Sequence, residues 1–443
     1  MDRITVDVLK TDGIIKPINA INNGPAGVNV RGISNFETYS ALEIPYARNH
    51  DASLYAGYGG EHTVDVHRIF KNFDADENDP ASYVFEPTDQ YTKTIFDAGT
   101  KVYYRLGATI EHRYKQGTYP PHDYLKWARI CEHIIRHYTE GWADGFYYDI
   151  EYWEIWNEPD CTNPDGSNPC WQGTEKEFIE FYCVASAYLK EKFPRLKIGG
   201  PAFASVNAHK QFATDFLREV KRRNAPLDFF SFHGYLKDVH KIVDRTNVVK
   251  ELLSDEGFEG VELHYNEWNY VRGWQGDDYK YSRIQSKRLK GAAFIASVMC
   301  AGQASLLDMA MYYDARPSSW CGLFDTDMLE PLKPYYAFYL FRELRRLGTY
   351  IPTEYRGGNV YSCAATDGSN SAVLLSNYSD DDSAPAENVM LQVKNAASNS
   401  KIEIYALDEN NNGELIDSFD SNGDIELELN IPLFTTLLVK INA

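Results

Sequence analysis

The sequence predicts an α/β protein, a (β/α)8 TIM barrel carrying an accessory antiparallel β-sandwich. Two observations lead there. From about residue 15 to residue 345, short apolar runs alternate with amphipathic stretches, the pattern of strands feeding helices. After Leu347 the pattern changes to short runs separated by Gly, Asn, Asp and Ser, with no helical period. The division expected is a barrel over 15–347 and a sandwich built from 348–443 together with 1–14.

Eight runs have strand character: KPINAIN (16–22), LEIPYARN (42–49), KVYYRLG (101–107), EYWEIWN (151–157), LKIGG (196–200), DFFSFH (228–233), VELHYNE (261–267) and DMAMYYD (308–314). Helical patterns lie between them, notably 121–142, 174–193 and 282–302. In the first, Leu125, Ile130, Ile134 and Tyr138 keep near-helical spacing, and Pro121 suits a first turn. The excursion FKNFDADENDPASYVFEP (70–87), acidic and Pro-containing, reads as loop. In the C-terminal part, NVYSCAA, SAVLLSN, VMLQVKN, KIEIYALD, ELIDSF, IELELN and TTLLVKI are seven candidate strands. RITVDVL near the N-terminus is expected to join them.

Composition narrows the function. The 443 residues carry a net charge of −20, a repelling field for nucleic acid. No run of 18 apolar residues is present, so no membrane-spanning helix is expected. The start, MDRITVDVLKTDG, lacks a basic segment followed by an apolar run, so a cytoplasmic location is expected. Seven cysteines, sparse and odd in number, fit a reducing compartment. Cys161 and Cys170 bracket a polar loop, CTNPDGSNPC, where either a local disulfide or two free thiols can be written. Aromatic residues reach 14%, with 32 Tyr and 8 Trp, more flat hydrogen-bonding surface than a core needs and suited to sugar faces.

Several motifs fail on inspection. No Gly-rich phosphate loop follows a strand, which leaves nucleotide cofactors unsupported. His133 and His137 are four apart on a helix, but Ile134 stands where a zinc peptidase needs Glu, so they read as polar positions on an outer helix. Asp408 to Gly413 begins like a calcium loop, but its twelfth position is Phe419. A hairpin turn is the better reading.

Two carboxylates remain. Glu154-Ile155-Trp156-Asn157-Glu158-Pro159 closes the fourth candidate strand, and His264-Tyr265-Asn266-Glu267-Trp268-Asn269 closes the seventh. The C-terminal strand ends of such a barrel form the active-site face, so both glutamates would enter one cleft. Their separation of 109 residues fits three β/α units of about 35 residues each. Paired carboxylates across a sugar cleft are the machinery of glycoside hydrolysis, one protonated to donate and one ionised to attack. Glu158 precedes Pro159, which offers no backbone N–H to stabilise a carboxylate, and this suits the acid. Glu267, with donors expected from neighbouring strands, suits the ionised partner.

These motifs resemble the clan A glycoside hydrolases, which are retaining enzymes, and within them glycoside hydrolase family 39, the β-xylosidases and α-L-iduronidases. YYDIEYWEIWNEPD is similar to the family's acid/base motif and ELHYNEWN (262–269) to its nucleophile motif. CWQGTEKEFIEFY, KIGGPAFA (197–204), PLDFFSFHGY (226–235) and the stretch 311–348 follow the family's course. The resemblance implies Glu158 as acid/base and Glu267 as nucleophile. It implies Asn157 on the sugar 2-hydroxyl, and His233 and Tyr235 lining the sugar subsite with Tyr235 holding the nucleophile. His50, in ARNHDAS (47–53), would contact sugar hydroxyls, and Trp320 would form a stacking wall. The chain departs from the pattern at Arg105, where the family usually has an acidic residue, and at Tyr312-Tyr313-Asp314 in place of a Trp-Thr ending. Arg105 would pair with a carboxylate of the protein, such as Glu111, or await an anionic group on the sugar.

The activity expected is that of a retaining β-xylosidase-like glycosidase on xylose-containing oligosaccharides, with no metal or organic cofactor implied. Alternatives are an arabinoside or a uronate-bearing glycan as substrate or, from another class, an inactive carbohydrate-binding barrel. Neither a nucleic-acid nor a membrane partner is expected. A homo-oligomer is left open.

Overall fold

The computed structural model describes residues 2–27, 32–51, 62–110, 117–317, 320–354 and 358–443. Eight parallel strands close into a barrel: β1 (Ala20–Asn22), β2 (Tyr46–Asn49), β3 (Lys101–Leu106), β4 (Tyr152–Ile155), β5 (Lys197–Phe203), β6 (Phe229–Leu236), β7 (Glu262–Tyr270) and β8 (Met309–Tyr312). Each lies within or overlaps its sequence-predicted run. The strands are buried throughout most of their length, as expected of a parallel sheet covered by helices.

The barrel interior is layered. Its floor is apolar and aromatic, made of Ala20, Tyr103, Tyr152, Phe229, Met309 and Met311. One layer up the interior becomes polar, with Asn22, Arg48, Glu154, Ser231 and Asn266 all buried. Such a layer is stable only if its members largely satisfy one another, and among these five only Asn266 Oδ1 has no partner among the described residues.

The helices between the strands are locally well specified. Helix Glu175–Lys192 starts with a capping box, in which Thr174 and Glu177 satisfy each other's backbone donors. Helix Tyr124–Glu140 starts at Asp123, whose side chain accepts from Lys126 N, and ends at Gly141 with φ 74°. Pro121 therefore precedes the helix rather than forming its first turn. Leu125 is 43% exposed; Trp127, Ile130, Ile134 and Tyr138 face the core instead. His137 also turns inward, stacked 3.6 Å from Phe85 with its Nε2 3.0 Å from Asp89 Oδ1, unlike the outer position expected. The helix expected over 282–302 is broken at Ser286–Arg288 into Gly276–Gln285 and Leu289–Ala304. The second piece is apolar on all sides because it lies between the barrel and the C-terminal sheets. The segment read as loop contains a 3-10 turn at Pro80–Ser82 and runs into a helix at Glu86–Asp97.

Two further sheets follow the barrel, one of four strands and one of six. Strand Asp2–Asp7 joins the smaller, between Thr353–Glu354 and Glu387–Lys394. It runs parallel to Glu387–Lys394, so the sandwich is not wholly antiparallel as expected. Asp408 begins a hairpin turn, its Oδ1 accepting from Asn410 N and Asn411 N. Lys290, 1% exposed on the buried helix, ties the two parts together through Asp380 and Asp382. No helix among the described residues is long and apolar enough to cross a membrane.

Candidate active site

Local irregularities at two strand ends bring the glutamates together. After β4 the chain bends through Trp156 (φ 76°) and Glu158 (φ 48°), left-handed conformations that are uncommon for residues other than Gly. Glu158 N donates to Ala202 O at 2.9 Å, fixing the bend against β5. On β7, Phe232 pairs with Tyr265 but His233 pairs with Glu267, so Asn266 is an extra residue in the ladder. A bulge re-aims side chains that would otherwise alternate between faces. Here Asn266 and Glu267, although consecutive, both reach the same polar cluster.

Arg48 is the hub of that cluster. Its Nε donates to Glu154 Oε2, its Nη1 to Glu267 Oε1 and its Nη2 to Asn157 Oδ1, each at 2.7 Å. Nη1 also reaches Asn22 Oδ1 at 3.1 Å. Glu154 is completed by Ser231 Oγ at 2.6 Å and Asn266 Nδ2 at 2.5 Å. Glu267 takes three further neighbours: Tyr235 donates to Oε2 at 2.6 Å, His50 Nε2 lies 3.0 Å from Oε1, and His233 Nδ1 lies 3.6 Å from Oε2. Glu158, less enclosed, meets His233 Nδ1 at 2.8 Å through Oε1. A carboxylate oxygen of Glu158, a ring nitrogen of His233 and a carboxylate oxygen of Glu267 fall within 4.8 Å of one another.

These surroundings push the two carboxyls apart in acidity. Burial raises the Glu158 carboxyl above the usual carboxylate range; His233 lowers it, and the neighbouring Glu267 and Asp160 charges raise it further. Burial works in the same direction on Glu267, but His233, His50 and Arg48 outweigh it and hold the group well below the usual range. His50 is itself pushed down to about 4, first by burial and then by Arg48. At neutral pH it therefore offers Glu267 a hydrogen bond rather than a charge. The His233 ring is raised against the pull of burial by Glu267 and Glu158. One carboxyl that holds its proton more tightly than usual and one that gives it up more readily, on facing strand ends, can serve proton transfer and nucleophilic attack on one substrate.

The remaining sequence-predicted residues surround this pair. Asn157 lies between Arg48 and Thr109, with Nδ2 3.2 Å from Thr109 Oγ1. Trp320 stands 5.5 Å from the ring of Tyr235 and 5.4 Å from that of Tyr313. Trp274 stacks on Trp320 at 5.8 Å and is 56% exposed, extending an aromatic wall outward from the cleft. Arg105 is wholly buried and ion-paired with Asp65, and its Nη2 also donates to the carbonyl of His50 at 2.5 Å. Its Nε and Nη1 have no partner among the described residues. Glu111, the partner considered from sequence, lies outside the described residues. Cys161 and Cys170 are free thiols.

Sequence reasoning missed Arg48, Glu154, Asp65 and Trp274. Arg48 and Glu154 sit inside the quoted motifs, and a charged residue within a strand that must be buried was their available signal. A second cluster was also missed. Asp51 Oδ2 accepts from Tyr313 at 2.5 Å and from Arg316 at 3.2 Å, while Arg316 lies 3.0 Å from Asp314 Oδ2. Asn23 bridges both aspartates at 2.8 and 3.0 Å.

The sequence profile of glycosyl hydrolases family 39 matches residues 61–412. A β-xylosidase of Geobacillus stearothermophilus is 26% identical over 293 residues, covering 59% of this chain and 53% of that protein. A β-xylosidase of Caldicellulosiruptor saccharolyticus is 26% identical over 213 residues, 42% of this chain and 41% of its own length. The chain thus spans about half or less of these curated relatives. Among solved structures, a glucosidase from Croceicoccus marinus superposes with a TM-score of 0.81 at 20% identity, over 100% of this chain and 99% of that one. A monomeric β-xylosidase from Caulobacter crescentus gives 0.73 at 15% identity, again over 100% and 99%. At those identities the superpositions establish a shared fold.

Proposed function

The chain belongs to glycosyl hydrolases family 39, and on that premise we propose that it hydrolyses glycosides with retention, with a β-xyloside as the preferred substrate. The observation that carries this reading is the Glu158–His233–Glu267 arrangement, in which carboxylate oxygens approach within 4.8 Å while their acidities are driven apart. Retaining enzymes hold the two carboxyls about 5–5.5 Å apart; inverting enzymes separate them by about 6.5–9.5 Å to admit a water.

In the first displacement Glu267 attacks the anomeric carbon as the C–O bond to the leaving group breaks, and Glu158 gives its proton to the departing oxygen. In the second, Glu158 takes a proton from water, the water oxygen bonds to the anomeric carbon, and Glu267 departs as carboxylate. Arg48, His50 and Tyr235 keep Glu267 ionised and aimed. Tyr235 is held well above the usual phenol range, first by burial, so it remains a donor. Asn157, anchored by Arg48, meets the 2-hydroxyl, and the wall of Tyr235, Tyr313 and Trp320 receives the sugar face.

The β-xylosidase relatives support the pentoside, and engagement of Arg105 by Asp65 favours a neutral sugar over a uronate. A panel of aryl glycosides tests this. The highest kcat/KM is expected on the β-xyloside; preference for an arabinoside, glucoside or uronide would move the substrate, and hydrolysis of none would leave a carbohydrate-binding barrel.

A further inference from the structure

On the outer side of Glu158 lies a pair of thiols that the proposed hydrolysis does not use. Cys161 follows Glu158 by one tight turn, its N donating to Glu158 O at 3.0 Å. Asp160, within that turn, accepts from Ala204 N and Ser205 N at 2.8 and 2.9 Å and so pins it to the end of β5. The far end of the loop is stitched back as well. Asn168 donates to Pro159 O at 2.7 Å and accepts from Cys170 N at 2.8 Å, while Trp156 Nε1 holds Cys170 O at 3.0 Å. One oxygen of Glu158 and both sulfurs consequently lie within 4.8 Å of one another, with Glu158 Oε2 3.9 Å from Cys170 Sγ.

We propose that Glu158, Cys161 and Cys170 form a binding site for a thiophilic divalent cation of the zinc type, and that filling it stops hydrolysis by withdrawing Glu158. The effect on hydrolysis rests on the acid/base role proposed for Glu158; the site itself does not. In tetrahedral zinc coordination, Zn–S near 2.3 Å and Zn–O near 2.0–2.2 Å set neighbouring sulfur and oxygen about 3.6 Å apart. The observed 3.9 Å needs a closure of a few tenths of an ångström. The two oxygens of Glu158 are divided between neighbours, Oε1 facing His233 and Oε2 facing the thiols, so Oε2 is available as a ligand. Ligand positions fixed by backbone hydrogen bonds favour binding because little order must be imposed. Cys170 is buried and Cys161 partly exposed, which gives the cation a route inward, and solvent water can complete the fourth position. Binding joins the cation to two thiolates and one carboxylate and releases to solvent the two thiol protons together with the proton held by Glu158, with no change of oxidation state.

Glu158, His233 and Glu267 form a second set of ligand atoms within 4.8 Å, but they offer only nitrogen and oxygen. Two thiolates favour a softer ion, and sulfur ligation has its own spectrum. The metal-free protein, kept reduced with a phosphine, is titrated with Co²⁺ and separately with Zn²⁺ while aryl-glycoside hydrolysis is followed. One equivalent of Co²⁺ should bring a thiolate-to-cobalt absorption in the near ultraviolet that Zn²⁺ displaces. Zn²⁺ should inhibit reversibly, chelation restoring the rate. Cys161→Ser and Cys170→Ser should lose the band and need at least about tenfold more Zn²⁺ for equal inhibition of their own metal-free rates. No band in the wild type, or variants as zinc-sensitive as the wild type, would overturn the proposal, the latter placing the ion on Glu158, His233 and Glu267. Were the wild type to hydrolyse no glycoside, the band would still decide the site while the glycosidase reading failed.

Discussion

His233 Nδ1 lies 2.8 Å from Oε1 of Glu158, and the same nitrogen is 3.6 Å from Oε2 of Glu267, so one imidazole adjoins both carboxyls. It lowers both, yet burial still leaves Glu158 high, while Arg48 and His50 add to the lowering of Glu267.

The pH profile follows from these directions. Hydrolysis needs Glu267 ionised, and its depressed pKa places the acid limb below the usual carboxylate range. It also needs Glu158 protonated, so the alkaline limb falls above that range. Removing His233 frees both carboxyls to rise. In His233→Asn, both limbs of the kcat/KM profile should move alkaline by about one pH unit, a shift that general loss of structure would not produce.

The glutamates are separable by leaving group. Glu158→Ala should lose about 10²–10⁴-fold on glycosides with poor leaving groups, retain much of its rate on a dinitrophenyl glycoside, and be rescued by azide. Glu267→Ala should lose on the order of 10⁴-fold or more on every substrate. If Glu267→Ala instead kept a leaving-group-dependent rate, the roles would be reversed.

Arg48 is a positioning residue for Glu267 and the sole cation on Glu154 among the described residues. Arg48→Met leaves both carboxylates buried and should cost about 3–5 kcal/mol in denaturant unfolding, with the acid limb moving to higher pH. Arg48→Lys, keeping a charge without the planar fork, should fall between.

Arg105 tests the sugar. Because it pairs with Asp65, Arg105→Gln should lower kcat/KM on neutral xylosides and uronate-bearing substrates alike, and destabilise by about 3–5 kcal/mol. A loss confined to uronates would identify an anionic substrate.

The strands and the two glutamates were legible because they rest on local patterns: apolar runs of strand length, and motifs at strand ends. What escaped depends on partners distant in sequence. Arg48 meets Glu154 and Glu267 across 106 and 219 residues, and no periodicity encodes such pairings. Asp65 lies in a segment without strand or long-helix pattern, hence the different choice of partner for Arg105. Strand Asp2–Asp7 was recognised but not its direction, which is set by a neighbour nearly 400 residues on. The break at Ser286–Arg288 was hidden because the apolar run after it is buried on all sides and shows no one-sided stripe.

The stereochemistry of the first product tests the central claim most directly. Proton NMR of an aryl β-xyloside in the first minutes of hydrolysis, before mutarotation, should show β-xylose accumulating first, with the α-anomer appearing later by equilibration. Initial formation of α-xylose would mean single displacement by water, and Glu267 would not be the nucleophile.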